Sequence, residues 1–352
     1  LKTVDASAFY LMKNWCTVGV GEPDRGSGTS RALGLRVAVC DTGCAGDGRM
    51  SSLPSVMPRL RGDSSRVNRV DRLGWTMGTC FDAFGVRVGV RFNEPRLLDR
   101  LSPHLPPGWR PTSSPWVDRL FSLWIDRDGA RPVRLYADRR PSLRTASLDE
   151  ALAVLESEIR QSVAVGAART TFVHAGVVGW QGRAIVVPGR SRSGKTTLVA
   201  ELVRAGAPYY SDEFAVLDGR GRVHPFAKPL SVRGAGGCDL HVARPRAEDL
   251  GGTCGREPLP VGLVVLTAFR RGARWRPERL SRGHAVLEML AHTVPARLRP
   301  ERSLRALERA VRGAVVVRGE RGEARDLVAS LLGSVEDGVR VSHRGGGKRG
   351  TR

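Results

Sequence analysis

The sequence predicts an α/β protein in two parts: a small mixed α/β N-terminal module, then a larger α/β domain built around a strand–loop–helix unit. Three observations carry that prediction. Apolar strands and amphipathic helices alternate from Thr171 onward. The stretch "VVPGRSRSGKTTLVAELV", 186–203, sets a glycine-bracketed loop between an apolar strand and a helix. Between Cys80 and Ala167, alternating strands lead into one well-capped helix.

The chain of 352 residues is long enough to bury a sizeable core. No apolar run approaches the roughly 18–20 residues that span a bilayer, and no basic–apolar–small signal pattern opens the sequence. A cytoplasmic protein with no membrane partner is the expectation. The formal charge of +22 comes from 57 Lys+Arg against 35 Asp+Glu, yet lysine occurs only at Lys2, Lys13, Lys195, Lys228 and Lys348. The arginines are spread through every segment instead of gathered into a stripe, so a dedicated nucleic-acid role is not expected. Of six cysteines, Cys40 and Cys44 form a CxxxC pair with no partner pair at zinc spacing, which reads as free thiols in a reducing compartment.

Residues 1–76, rich in Gly, Ser, Arg and Asp, read as a disordered or non-native extension, with a natural start near Met57 or Met77. Residues 77–170 form the N-terminal module. In "FGVRVGVRF", Val86, Val88, Val90 and Phe92 face one side and Arg87 and Arg91 the other, a half-buried strand. "PRLLDRL" is a short helix and "LPPGWRPTSSP" a loop; "RLFSLWID" and "RPVRLYAD" are strands joined at Asp128-Gly129. Ser147 to Ala167 is a helix: Ser147 and Glu150 make a capping box, and Leu148, Leu152, Leu155, Ile159 and Val163 a stripe.

Residues 171–335 form the larger domain. "TFVHAGVVGW" and "GRAIVVPG" are strands, a helix runs from about Lys195 to Ala205, and "YYSDEFAVLDGRGRVHPF" is a hairpin turning at Asp218-Gly219. "VGLVVLTAF" is a continuous apolar run, as for a central strand buried on both faces. "SRGHAVLEMLAHTV" and "SLRALERAV" are helical, "GAVVVRG" a strand, and "GEARDLVASLLGSV" a last helix before a basic, disordered tail at 336–352. On that reading His284 and His292 share one helix and are structural.

Gly189-Arg190-Ser191-Arg192-Ser193-Gly194-Lys195-Thr196 fits G-x-x-x-x-G-K-[ST], followed by Thr197. Glycines let backbone N–H groups turn inward around phosphate oxygens, and the helix start adds positive potential. A tight turn with an exposed lysine could share the spacing, but the scarcity of lysine favours the phosphate reading. Lys195 would then reach the β- and γ-phosphates and the Thr196 hydroxyl would hold Mg2+. Arg190 and Arg192 either neutralise phosphate charge or follow the general arginine bias. Asp212 and Glu213 stand side by side at a strand start: one could hold Mg2+ while the other takes a proton from an attacking hydroxyl. His174, among apolar neighbours, is catalytic or structural. Lys228 either steers the acceptor or the γ-phosphate or sits on a surface loop, the surface reading being slightly favoured, and Asp218 reads as a turn residue.

The stretch 173–218, "VHAGVVGWQGRAIVVPGRSRSGKTTLVAELVRAGAPYYSDEFAVLD", resembles the catalytic domain of the HPr kinase/phosphorylase family, and more closely its bacterial HPr kinase-related members. The resemblance runs from about Met77 to Val335 and is most specific over 171–233. It implies a P-loop core of the HPr kinase / phosphoenolpyruvate-carboxykinase-like type. It further implies ATP and Mg2+ as cofactors, Lys195 on the β/γ-phosphates, Thr196 with Asp212 on Mg2+, Asp212 or Glu213 as base, and His174 lining the site. The family's Val-His-Gly is Val173-His174-Ala175-Gly176 here, its paired aspartates are Asp212-Glu213, and Arg233 falls at its later Arg-Gly motif. The implied function is a serine kinase acting on a protein or peptide, as a homo-oligomer. The alternative is a P-loop protein that binds or hydrolyses nucleotide with no phosphorylated protein acceptor.

Overall fold

The computed structural model describes residues 53–61, 68–126, 132–191, 193–233 and 242–345. It is a mixed α/β protein with parallel and antiparallel sheets. The strands are β1 (Arg59–Leu60), β2 (Met77–Ala83), β3 (Val86–Phe92), β4 (Arg110–Pro111), β5 (Trp116–Val117), β6 (Arg119–Ile125), β7 (Val133–Ala137), β8 (Arg140–Thr145) and β9 (Thr171–Trp180). They continue as β10 (Arg183–Pro188), β11 (Tyr209–Ser211), β12 (Phe214–Leu217), β13 (Arg222–His224), β14 (Val232–Arg233), β15 (Val242–Ala243), β16 (Leu259–Phe269), β17 (Glu278–Arg279) and β18 (Val315–Arg321). The helices are α1 (Leu97–Leu101), α2 (Leu148–Gly166), α3 (Lys195–Arg204), α4 (Arg282–Leu290), α5 (Pro300–Val311) and α6 (Val328–Gly345).

In the first module a six-stranded sheet runs in the order β4–β2–β3–β6–β7–β8. Helix α2 covers one face and buries Leu152, Leu155, Ile159 and Val163, the stripe read from the sequence. Its cap is half a box. Ser147 Oγ accepts from the Glu150 N–H at 3.2 Å, but the Glu150 carboxylate turns away to take the Thr145 hydroxyl. The module includes residues before the expected Met77 boundary. β1 pairs in parallel with β5, and Pro58 seats on Gly78 and Gly89, where a Cβ would lie 2.5 and 2.3 Å from the proline ring. Asp71 ion-pairs with buried Arg91 at 2.7 Å, and Trp75 stacks on the same guanidinium. The remainder of 1–76 lies outside the described residues, as does the expected Asp128-Gly129 turn.

The larger sheet has eight strands, and its pairings close on themselves. β9 pairs with β12 through residues 171–174 and with β10 through 175–180; β12 pairs with β13, β13 with β16, and β16 back with β10. β11 also pairs with β9, at Val177 and Val178, so the β10 pairing begins where that with β12 ends, between His174 and Ala175. Along β16, Leu263 and Val265 pack into the core under α3 and α6, while Val261 and Val264 pack under α4 and α5. That two-sided burial is what a continuous apolar run demands. A third core joins the modules: Phe84 of the first packs edge-on against Phe172, which meets Phe214 and Phe226, with α2 alongside.

Three further expectations change. Helix α6 continues to Gly345, through the segment expected as a disordered tail, and Glu336 accepts from Gln181 Nε2 at 2.9 Å; residues 346–352 lie outside the described residues. Helix α4 stops at Leu290, so His292 is not on it; its carbonyl accepts the His174 N–H at 2.8 Å. Cys254 is disulfide-bonded, against the free-thiol reading, while Cys80 is free and buried. Among the described residues no helix is long and apolar enough to cross a membrane.

Candidate functional site

The site sits around His174–Ala175 of β9, where the pairing with β12 ends and that with β10 begins. Chain leaving β10 at Pro188 is held there by the Gly189 N–H, which donates to the His174 carbonyl at 3.2 Å. The loop ends at Gly194, left-handed at φ 80° and the first residue flanking α3, with no side-chain cap on the helix. Only glycine fits: a Cβ would lie 2.3 Å from Arg321 Nη2, whose guanidinium donates to the Gly194 carbonyl at 3.0 Å. The amides of the first turn therefore carry no side-chain cap, and the helix start adds positive potential there.

Lys195 curls back over its own loop, its Nζ donating to the Gly189 and Arg190 carbonyls at 2.8 and 2.6 Å. Burial pulls its pKa down to about 8, although Asp212 and Glu213 act the other way. Thr196 Oγ1 donates to Asp212 Oδ2 at 3.2 Å. Arg190, Ser191 and Thr197 are exposed, and Ser193 is half-buried with its carbonyl turned to Arg321 at 3.4 Å. Arg192 and the side chain of Arg233 lie outside the described residues.

The two neighbouring carboxylates have opposite surroundings. Asp212, with a side chain 2% exposed, accepts from Lys228 Nζ at 2.8 Å and the Tyr209 hydroxyl at 3.0 Å on one oxygen. Its other oxygen takes the Ser231 N–H at 3.0 Å as well as Thr196. Burial works to raise its pKa, but the Lys228 ammonium and the surrounding donors outweigh this and hold it below the usual carboxylate range. Lys228 is thus an internal ion-pair partner, 8% exposed, and not the surface residue its loop suggested. Glu213 is 23% exposed; its Oε2 lies 2.9 Å from Arg160 Nε and 3.7 Å from Lys228 Nζ, with no well-aligned hydrogen bond.

His174 lies half-buried with its ring 4.7 Å from that of Phe214. Burial lowers its pKa, Glu213 opposes, and Lys195 and His292 reinforce the fall, so the ring is neutral near pH 7. The structure therefore brings Lys195, Thr196, Asp212, Glu213 and His174 together at one end of the sheet. Asp218 stays apart, accepting the Arg220 and Arg222 N–H groups in its hairpin turn. A threonine hydroxyl beside a carboxylate suits a hard cation such as Mg2+. Both Asp212 oxygens are already engaged by four donors. Among the described residues no cluster of three or more His, Cys, Asp and Glu could hold a metal.

No family model matches the chain, and no curated protein matches it. Among solved structures, the chain is similar to the Hpr(Ser) kinase/phosphatase from Coxiella burnetii. The identity is 13%, the match covers 49% of this chain and 98% of that one, and the TM-score is 0.28. A likeness at that score carries no argument about chemistry, and the site is read from its own geometry.

Sequence reasoning missed Arg160, Arg321, Tyr209 and Ser231, and misplaced Lys228. A signal existed for two of them. Lysine is rare in this chain, so Lys228 deserved the weight given to Lys195. Glu156 and Arg160, four apart beside the apolar stripe of α2, mark an ion pair turned inward. Arg321 carried no signal among so many arginines.

Proposed function

We propose that the chain is a Mg2+- and ATP-dependent phosphotransferase with a P-loop core, passing the γ-phosphoryl group to a hydroxyl, a serine of a protein or peptide. The observation that carries this reading is the unequal pair. Asp212 is saturated and locked onto Thr196, while Glu213, its side chain 23% exposed, faces Arg160 at 2.9 Å with no aligned donor on Oε2. The resemblance of residues 171–233 to HPr kinase-related proteins favours the same reading.

On binding ATP, Lys195 would exchange its two loop carbonyls for β- and γ-phosphate oxygens, and the uncapped amides at the start of α3 would cradle the rest. Thr196 would hold the cation, which neutralises charge on the phosphates, and Asp212 would orient the threonine hydroxyl. Glu213 would take the proton of the acceptor hydroxyl as its oxygen bonds to phosphorus and the bond to the ADP oxygen breaks. His174, neutral, would line the site. Such catalysis is positioning and charge neutralisation, which this set of side chains can supply.

Thermal unfolding of the full chain with and without MgATP, beside Lys195→Ala, tests the binding half. A ligand at about 100 times its Kd adds roughly 2.7 kcal/mol, a shift of several degrees in wild type and none in the variant. Transfer of labelled phosphate to a degenerate serine-peptide mixture tests the rest, and Glu213→Gln should cost about 10²–10⁴-fold in rate while keeping the shift. If phosphate is released with no labelled peptide, water is the acceptor and the chain is a hydrolase. No shift with MgATP would remove the reading.

A further inference from the structure

The reactive carboxylate of the larger domain is held from outside it. Arg160 belongs to α2, the helix of the N-terminal module, and its side chain is 11% exposed. Its Nε lies 2.9 Å from Glu213 Oε2, and its Nη1 donates to Glu156 one turn back. Glu156 is fixed in turn: its other oxygen meets His104 Nδ1 at 3.0 Å and accepts from Arg244 Nη1 at 2.8 Å. Arg160 therefore cannot swing freely, since its second contact, Glu156, is anchored by His104 and Arg244, from two other segments. Burial disfavours the guanidinium charge, but Glu213 and Glu156 outweigh it and the group stays charged.

The contact to Glu213 has an instructive geometry. Arg160 Nε and Glu213 Oε2 are both buried, and neither makes a well-aligned hydrogen bond, although they lie within ion-pair distance. Charge is thus compensated while a lone pair of the carboxylate stays unused. Asp212, with four donors, is the contrast. A staple whose only task was cohesion would gain most from an aligned, bidentate pairing.

Resting on the phosphotransferase reading above, we propose that Arg160 is a positioning residue for Glu213, so that the N-terminal module completes the site of the larger domain. Arg160 touches neither nucleotide nor acceptor; it fixes where the Glu213 carboxylate points. Truncating it should therefore act on turnover and leave nucleotide binding alone.

The experiment measures ADP release from MgATP by the full chain, with the degenerate serine-peptide mixture as acceptor, for wild type, Arg160→Gln, Arg160→Lys, Glu213→Gln and Arg160→Gln/Glu213→Gln. We expect Arg160→Gln to lower kcat by about 10–100-fold with KM for MgATP within about twofold, and Arg160→Lys to recover part of the loss. In the Glu213→Gln background the same change should cost no more than about twofold, because its route to the chemistry is already gone. Should Arg160→Gln not fold, Arg160→Met/Glu156→Gln removes the buried pair together and carries the same expectation. The inference is overturned by an unchanged kcat, by a loss of equal size in the Glu213→Gln background, or by loss of MgATP affinity in proportion to kcat. A wild type that neither binds MgATP nor releases ADP overturns the site reading and this inference with it, whereas wild-type turnover indifferent to Arg160 overturns this inference alone.

Discussion

Lys195 and Lys228 show how two lysines of one site are set by opposite forces. Burial lowers the Lys195 pKa from 10.5 to about 8. Its folded value lies below its unfolded one, so the charged form costs stability below about pH 8, and that cost fades as pH rises from about 8 toward 10.5. Lys195→Met should therefore raise Tm, by ~2 °C or more, while abolishing the MgATP shift; a fall in Tm would contradict this. For the same reason MgATP affinity in wild type should weaken above about pH 8, approaching tenfold per pH unit, as titration calorimetry would read. Lys228 is the reverse case, since removing it strands Asp212 as a buried, uncompensated charge. Lys228→Ala should cost about 3–5 kcal/mol by urea unfolding. The place of the first lysine, at the junction of loop and helix, was legible because it follows from six residues of spacing. The second was not, because its role depends on how a loop after β13 folds back on Asp212, which no local pattern encodes.

Among the elements, α2 is where packing and site meet. Its apolar stripe was legible from periodicity, yet the charged pair beside the stripe ties the helix to the rest of the molecule. Burial acts to raise the Glu156 pKa, but the His104 hydrogen bond and the Arg160 and Arg244 charges bring it from 4.5 down to about 2. A depressed folded pKa gives stability that is full above about 4.5 and is lost as pH falls toward about 2. Glu156→Gln should thus be less stable at pH 7 by about 3 kcal/mol, and denaturant titrations should show the gap closing between pH 4.5 and 2. A constant gap across that range would contradict the assignment. The extents of β3 and β9 were legible from their apolar residues, but β3, read as half-buried, is buried on both faces, with Arg91 held inside by Asp71. The half-used capping box and the continuation of α6 escaped, because a neighbour, Thr145 in one case and the Trp180–Gln181 turn in the other, decides them.

For the molecule as a whole, the division at about residue 170 marks a change of sequence pattern more than a seam in the core. Phe84 and α2 share one aromatic cluster with Phe172, Phe214 and Phe226. Phe172→Ala should cost about 3–5 kcal/mol, and calorimetry of the full chain should show one transition in which both modules melt together. Two resolved transitions would refute the shared core. Alternation told which residues are buried; it did not tell which buried face meets which, because that depends on contacts between segments far apart in the chain.

The ring of strands also sets a schedule. β16 pairs with β10 only after the chain has grown about 75 residues further. At roughly 5–20 residues per second on the ribosome, the β9–β10 hairpin waits several seconds with a Val- and Ile-rich edge unpaired. A newborn chain is therefore most vulnerable to clumping in that interval, and slowing synthesis just downstream of β10 should lower the soluble yield.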